Sequence, residues 1–238
     1  MAGAKQALER TSDGLPLHDP ARSVFINCPF DTDYEPRLDA ILCTTVACGL
    51  IPRIATESGQ TDIPRVERIV HGIFTSDYSI HDLYRYQGEG NDNAARFNMP
   101  LELGFAVSRQ FVTKRLSIDG KPTKATVRKS YADWFRNHHR WCALVPTTVD
   151  YGKFISDLKG YDPKAYDGSE TGIINAVLSW YVSMGFTDGK FPTPGYLLEK
   201  LGVFRLRKEA ARIEQKWTDL PWSVQIDLAV ECVLAPPG

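Results

Sequence analysis

One carboxylate in this chain stands where a helix would begin. Glu102 lies in the run Arg96-Phe97-Asn98-Met99-Pro100-Leu101-Glu102-Leu103-Gly104-Phe105-Ala106. Asn98 has the side chain of an N-cap. Pro100 suits a first helical turn, where its missing N–H costs nothing. Glu102 then falls near the positive end of the helix dipole, which favours an ionised carboxylate. Leu101, Phe105 and Ala106 are the residues expected to hold this helix down, and Gly104 would permit close approach on another face. A carboxylate fixed at a helix mouth, opposite a strand end, is a candidate catalytic group; the competing reading is a surface capping Glu. The run Asp77-Tyr78-Ser79-Ile80-His81-Asp82-Leu83 ends in a polar pair, and Asp82 is either a second working acid or the cap of the following turn. Asn27-Cys28-Pro29-Phe30-Asp31 is a third polar corner, able to contact sugar hydroxyls or phosphates or to serve turn geometry alone. Phe30 could stack on a base or be buried, and Arg53, Arg85 and Arg96 carry forks that fit phosphate oxygens.

These residues need elements to position them. The apolar run Ser23 to Cys28 suits a buried parallel strand. Tyr34 to Leu50 has helical spacing through Leu38, Ile41, Leu42, Val46 and Ala47, and Gly49 closes it. Ile51 to Thr56 reads as a second strand, Pro64 to Phe74 as a helix, and Asp77 to Leu83 as a third strand. Trp141 to Val145 is the next strand, Tyr151 to Leu158 a helix, and Thr171 to Met184 a strongly apolar helix. Strand alternating with helix is the rhythm of a doubly wound parallel sheet. Ligands of such sheets gather at the carboxyl ends of the strands, so Asn27 to Asp31, Arg53 to Glu57 and His81 to Arg85 share one rim with the helix mouth of Glu102.

The ends and one interior stretch depart from that rhythm. Residues 1–22 lack apolar periodicity and read as a flexible arm before an α/β domain at 23–184. A Gly/Pro linker follows, and 194–238 reads as a C-terminal helical appendage, with Tyr196 to Leu201, Phe204 to Thr218 and Trp222 to Val233 as helices. Its apolar residues Leu197, Leu198, Leu201, Val203, Phe204, Trp217 and Trp222 suit packing on a partner or on the parent domain. The stretch 117–140 is basic with interleaved Tyr131, Trp134 and Phe135. Nucleic-acid contact is one reading of it; a solvated amphipathic helix or an oligomer contact is the favoured one.

Composition narrows the function classes. The chain has 238 residues and a net charge of −1, which gives no global argument for nucleic-acid or membrane-surface binding. Its five cysteines are odd in number and scattered, so reduced thiols in a cytoplasmic protein are expected, without a disulfide framework. No metal site is expected: His138-His139 with Cys142 lacks ligand spacing. No secretory h-region or membrane span is visible. No Gly-rich dinucleotide fingerprint follows the first strand, so any NAD would be a substrate and not a bound hydride carrier.

Together the motifs Phe25-Ile26-Asn27-Cys28-Pro29-Phe30-Asp31, Ile80-His81-Asp82-Leu83 and Arg96 to Gly104 resemble a bacterial family related to TIR-like domains and nucleoside 2-deoxyribosyltransferases. Phe154-Ile155-Ser156-Asp157-Leu158 to Asp162-Pro163 is similar to that family as well, and the resemblance covers about residues 23 to 184. It implies a flavodoxin-like sheet whose site cleaves an N-glycosidic bond. Glu102 then maps onto the nucleophile on the sugar, and Asp82 onto the family's strand-end Asp, which would hydrogen-bond or protonate the leaving base. Asn27, Phe30, Asp31, Arg53, Arg85, Arg96 and Asn98 become the substrate-binding set. The implied activity is hydrolysis of NAD or a related nucleotide by a defence effector, acting as a homo-oligomer or with a partner protein. Nucleotide sensing without turnover and deoxyribosyl transfer are the alternatives. The usual small-residue approach to the Glu is replaced here by Asn98-Met99-Pro100, and 117–140 and the C-terminal helices have no counterpart in the small transferases.

Overall fold

A computed structural model describes residues 19–57, 62–84, 98–110, 139–154, 156, 160–186 and 191–234. Five strands are described: β1 (Ser23–Asn27), β2 (Ile51–Arg53), β3 (Tyr78–Asp82), β4 (Arg140–Pro146) and β5 (Lys164–Tyr166). They form one parallel sheet in the order β2-β1-β3-β4-β5. The helices are α1 (Glu35–Ala47), α2 (Arg65–Thr75), α3 (Asn98–Gln110), the single turn α4 (Tyr151–Phe154), α5 (Glu170–Met184), α6 (Pro194–Gln215) and α7 (Trp222–Val233). β1 is buried along its whole length, as a central parallel strand covered by helices on both faces must be.

The register divides the strand residues between those faces. Ile26 pairs with Ile80 and Ile80 with Cys142, and they belong to the core under α1 and α5. Phe25 pairs with Ser79 and Ser79 with Trp141, on the face covered by α2 and α3. Alternation carries Asp82 to the first face and Asn27 and His81 to the second. Gly72 on α2 is what lets that helix close on β1, since a Cβ there would lie 2.4 Å from the Phe25 ring.

α1 is buried on nearly every side, from Leu38 to Val46. It lies on the sheet beside α5, with α6 and α7 packed over it. Its polar residues are satisfied within that packing: Thr44 and Thr45 donate to the carbonyls of Ala40 and Ile41 at 2.7 Å, and the Thr45 hydroxyl lies 2.8 Å from that of Tyr181. Gly49 takes φ +72° after the helix, so the amides of Gly49 and Leu50 reach back to Val46 and Thr45.

The expected C-terminal helices join this packing. Leu197, Leu201, Phe204, Trp222 and Ile226 are buried in the same core cluster as β1 and α1. Lys208 of α6, 3% exposed, places its ammonium 2.5 Å from Asp39 and 2.8 Å from Glu35 on α1. Val203 and Trp217 remain partly exposed.

Several sequence expectations shift. α6 is one helix where two were expected, and β2 ends at Arg53 instead of Thr56. β5 was not expected, because three residues after Asp162-Pro163 give no period to read. Asn98 is helical in α3, and the residues before it lie outside the described ones. Leu101 is 55% exposed; Met99, Leu103 and Ala106 hold that helix down in its place. Among the described residues a Cβ on Gly104 would meet nothing within 4 Å. The expected arm up to residue 18, the loop at 87–95, the basic stretch through 138 and part of the 185–194 linker lie outside the described residues. Among the described residues no helix is long and apolar enough to cross a membrane.

Candidate functional site at the strand ends

In the order 2-1-3-4-5 the connections from β1 and β3 leave on opposite sides, and the crevice between their carboxyl ends is the expected ligand site. Asn27 and Cys28 stand at the end of β1, and His81 and Asp82 at the end of β3. α3 brings Glu102 to the same rim. Its Ala106 packs with Phe25 of β1. Glu102 lies one turn nearer the helix start than Ala106, as Asn27 lies two residues nearer the strand end than Phe25. Glu102 and Asn27 therefore occupy the same end of the same face.

Glu102 is 6% exposed. Burial pushes its carboxyl up to about 7, with Arg65 opposing that rise. Desolvation thus works against the helix-mouth argument for an ionised carboxylate. Among the described residues no hydrogen bond reaches the Glu102 carboxylate, so its lone pairs are available to a ligand. Arg65, at the start of α2, also lies over the Phe30 ring with its guanidinium carbon 5.7 Å from the centroid. Phe30 is 37% exposed, open enough for a planar group to reach.

Asp82 has a different setting. It is fully buried on the α1 face. The Tyr34 hydroxyl donates to it, the Tyr166 hydroxyl donates at 2.9 and 3.1 Å, and the Tyr84 amide donates at 2.8 Å. Burial raises its carboxyl to about 6, against the pull of those hydrogen bonds and of Arg37. Burial and the Asp82 charge drive both tyrosine hydroxyls up, so they remain donors. Arg37 stacks 4.3 Å from the Tyr84 centroid and donates to the Gly168 carbonyl at 3.0 Å. Asp82 in this arrangement is the centre of a buried hydrogen-bonded floor that takes donors from Tyr34, Tyr166 and Tyr84.

The Cys28 thiol, at the end of β1, feels both carboxylates. Burial raises it well above its ordinary value, and Asp82, Glu102 and Asp31 push it further. It is a neutral thiol in the crevice, and all five cysteines are free and buried.

The other expected contacts are distributed as follows. Asp31 receives the Tyr34 amide on its side chain at 3.1 Å and the Glu35 amide on its carbonyl at 3.1 Å, so it shapes the entry to α1. Arg53 directs its fork at Glu57, with Nε 2.7 and 2.8 Å from the two carboxylate oxygens, and a phosphate would have to compete for it. Asn98 is exposed at the start of α3. Arg85 and Arg96 lie outside the described residues. Sequence reasoning missed Tyr34, Arg37, Arg65 and Tyr166. Arg65 follows Pro64 at a recognisable helix start; Tyr166 gave no signal because β5 gave none.

A buried polar chain completes the site. Asn27 Nδ2 lies 3.1 Å from His81 Nδ1, His81 Nε2 lies 2.8 Å from Ser79 Oγ, and Ser79 Oγ lies 2.7 Å from His139 Nε2. His139 Nδ1 lies 2.9 Å from the Ser76 carbonyl. Burial lowers His81 to about 3 and His139 well below its ordinary value, so both rings are neutral. Among the described residues no His, Cys, Asp and Glu cluster has the makings of a metal site. Comparison of the chain with protein-family models, with curated proteins and with solved structures returned no match.

Proposed function

We propose that this protein is an N-glycosidase that cleaves the base–ribose bond of NAD or a related nucleotide. The observation that carries the proposal is Glu102: a buried carboxylate without a protein hydrogen bond among the described residues, at the switch point of a parallel sheet. Breaking the bond between the anomeric carbon and nitrogen sends the electron pair to the base and leaves positive charge on the sugar. A carboxylate beneath that carbon stabilises the charge or bonds to it, and water then completes hydrolysis, its proton going to solvent. NAD fits a carboxyl that titrates at about 7. Its pyridinium brings a positive charge beside Glu102 and favours the ionised form, and nicotinamide departs neutral without needing a proton. That chemistry leaves Asp82 the task of holding Tyr34 and Tyr166 beneath the crevice, with no proton to deliver. The strand order, which is that of flavodoxin-like sheets, and the resemblance of the three motifs to TIR-like and deoxyribosyltransferase proteins support the same reading; a role as a defence effector rests on that resemblance alone.

The test is a panel of NAD and nucleotides with product analysis, on the wild type and on Glu102→Gln. Release of nicotinamide or free base by the wild type, and at least a hundred-fold less by Glu102→Gln, is expected. Turnover unchanged in the variant would remove Glu102 from the mechanism. A second reading, nucleotide binding without turnover, is favoured by the burial of Glu102, which keeps part of that carboxyl protonated at neutral pH beside any nucleotide that brings no positive charge of its own. Saturable binding with no product from any nucleotide would select it.

A further inference from the structure

α6 has an apolar row on each of two opposite sides. Leu197, Leu201 and Phe204 are buried in the core. On the other side Leu206 is 76% exposed and Ile213 70%. Ile213 follows Phe204 by about two and a half turns, which sets it across the helix axis from the buried row. Val203, Leu206, Ala210 and Ile213 succeed one another at intervals of three, four and three residues, and all are exposed. That is the a/d spacing of a helix that lies along another helix. Trp217 continues the spacing just past the helix end and is 44% exposed. Its amide donates to the Arg212 carbonyl at 3.2 Å, which ties it to the last turn. Exposed apolar residues scattered singly are ordinary, whereas a continuous row of them marks a contact surface.

The charges beside the row are complementary to themselves. Arg207 and Glu214 flank it on one side, and Glu209 and Lys216 on the other. Among the described residues neither Glu214 nor Lys216 has an ion-pair partner. Glu209 lies 3.8 Å from Arg212. Arg207 meets Glu231 of α7 at 3.1 Å with both side chains exposed, a kind of pair that yields readily to a competitor. An antiparallel second copy can be placed so that Ala210 meets the other chain's Ile213 and Leu206 meets its Trp217. Arg207 then faces Glu214 on one flank, and Glu209 faces Lys216 on the other. Two-fold symmetry makes every such contact twice. Sliding the copies until Ala210 meets Leu206 would instead bring Arg207 against Arg207 and Glu209 against Glu209. A parallel pair would bring Glu209 against Glu214. The charges therefore favour one orientation and one register of this helix on itself, a match that an unrelated partner would not require.

We propose that the outer face of α6 is a homodimer interface, in which two copies of this chain pack α6 against α6, antiparallel, around Ala210 and Ile213. The face lies across the helix from the core and includes none of the residues given a chemical role above.

Sedimentation equilibrium of the full chain tests this. The wild type should pass reversibly from monomer to dimer between about 1 μM and about 1 mM. Leu206→Glu should lower the association constant about ten-fold or more, and the high exposure of Leu206 leaves the monomer fold intact. Glu214→Arg should weaken the dimer several-fold, and Arg207→Glu/Glu214→Arg should restore it. A chain that stays monomeric at about 1 mM would give the face to a different protein or to another segment of this chain, and would overturn the proposal. A dimer unmoved by Leu206→Glu would use another surface and overturn it as well. A dimer that Glu214→Arg leaves unchanged or tightens, or that the double exchange fails to restore, would overturn the antiparallel pairing.

Discussion

Replacing Glu102 by Gln should stabilise the fold at neutral and alkaline pH while abolishing turnover. An unfolded Glu loses its proton near its ordinary value of 4.5, whereas burial holds Glu102 protonated until about 7. Between those values the native state keeps a proton that the unfolded state has released, so stability is lost as pH rises through the window. At roughly 1.4 kcal/mol per pH unit the loss amounts to about 3 kcal/mol once the native carboxyl has ionised. Glutamine has the same size and no proton to lose. The gain in unfolding free energy of Glu102→Gln over wild type should therefore be close to zero at about pH 4 and about 3 kcal/mol at about pH 8. Asp82 is also raised, to about 6, but it is present in both proteins and cancels from the difference. Urea unfolding followed by tryptophan fluorescence across that range measures the difference directly. A gain that does not change with pH would refute the claim that desolvation governs Glu102. A loss that deepens with pH would mean that Glu102 is ionised and paired with a cation.

Three further changes probe the surroundings. Tyr166→Phe removes a donor from Asp82 and should cost about 1–2 kcal/mol. Because that hydrogen bond lowers Asp82, its titration should move above the present value of about 6, as read by carboxyl 13C shifts against pH; an unmoved titration would show that the bond is not made. Gly72→Ala places a methyl 2.4 Å from the Phe25 ring and should destabilise by about 1–3 kcal/mol through overpacking, measured by denaturant unfolding; a neutral result would mean that α2 lies farther from β1. Lys208→Met leaves the buried Asp39 with the more distant Arg205, 3.6 Å away, and should cost about 2–4 kcal/mol, with Lys208→Met/Asp39→Leu recovering most of it; equal stability of the single and double variants would show that the two charges are not coupled.

The alternation of strand and helix was legible because parallel strands buried on both faces must be apolar runs, as Ser23–Asn27 is. The rim clusters were legible because polar residues after such runs can only lie at strand ends. What could not be read was the side of the sheet on which each residue works. Asp82 and His81 are neighbours in sequence, and alternation sends one to the tyrosines under α1 and the other to Asn27 under α3. Nor could the sequence say that the acid beside Asn98 and Pro100 would be buried, since Leu101 has the apolar character of a core residue and is exposed. Arg53 was one of three arginines that fitted a phosphate by type, and the sequence did not show that Glu57, four residues on, pairs with it. Tyr166 depends on a strand of three residues, too short for any period.

The C-terminal helices bear on the site through the same logic of shared elements. Glu35 opens α1, and hydrogen bonds from Lys208 and Arg212 of α6 hold its carboxyl below its ordinary value in spite of the opposing burial. The residue before it, Tyr34, donates to Asp82. Two residues after Glu35, Arg37 stacks on Tyr84, whose amide also donates to Asp82. One helical turn thus receives the charges of α6 on one side and supplies the floor of the crevice on the other. A fixed floor would matter to the proposed glycosidase, in which Glu102 addresses a sugar from the opposite face of the sheet. The outer helices pack α1 against the sheet, and the Trp222 indole donates to the Pro52 carbonyl of β2 at 3.0 Å. Geometry at the rim is therefore a property of the whole described fold, including the helices that sequence periodicity alone would set apart.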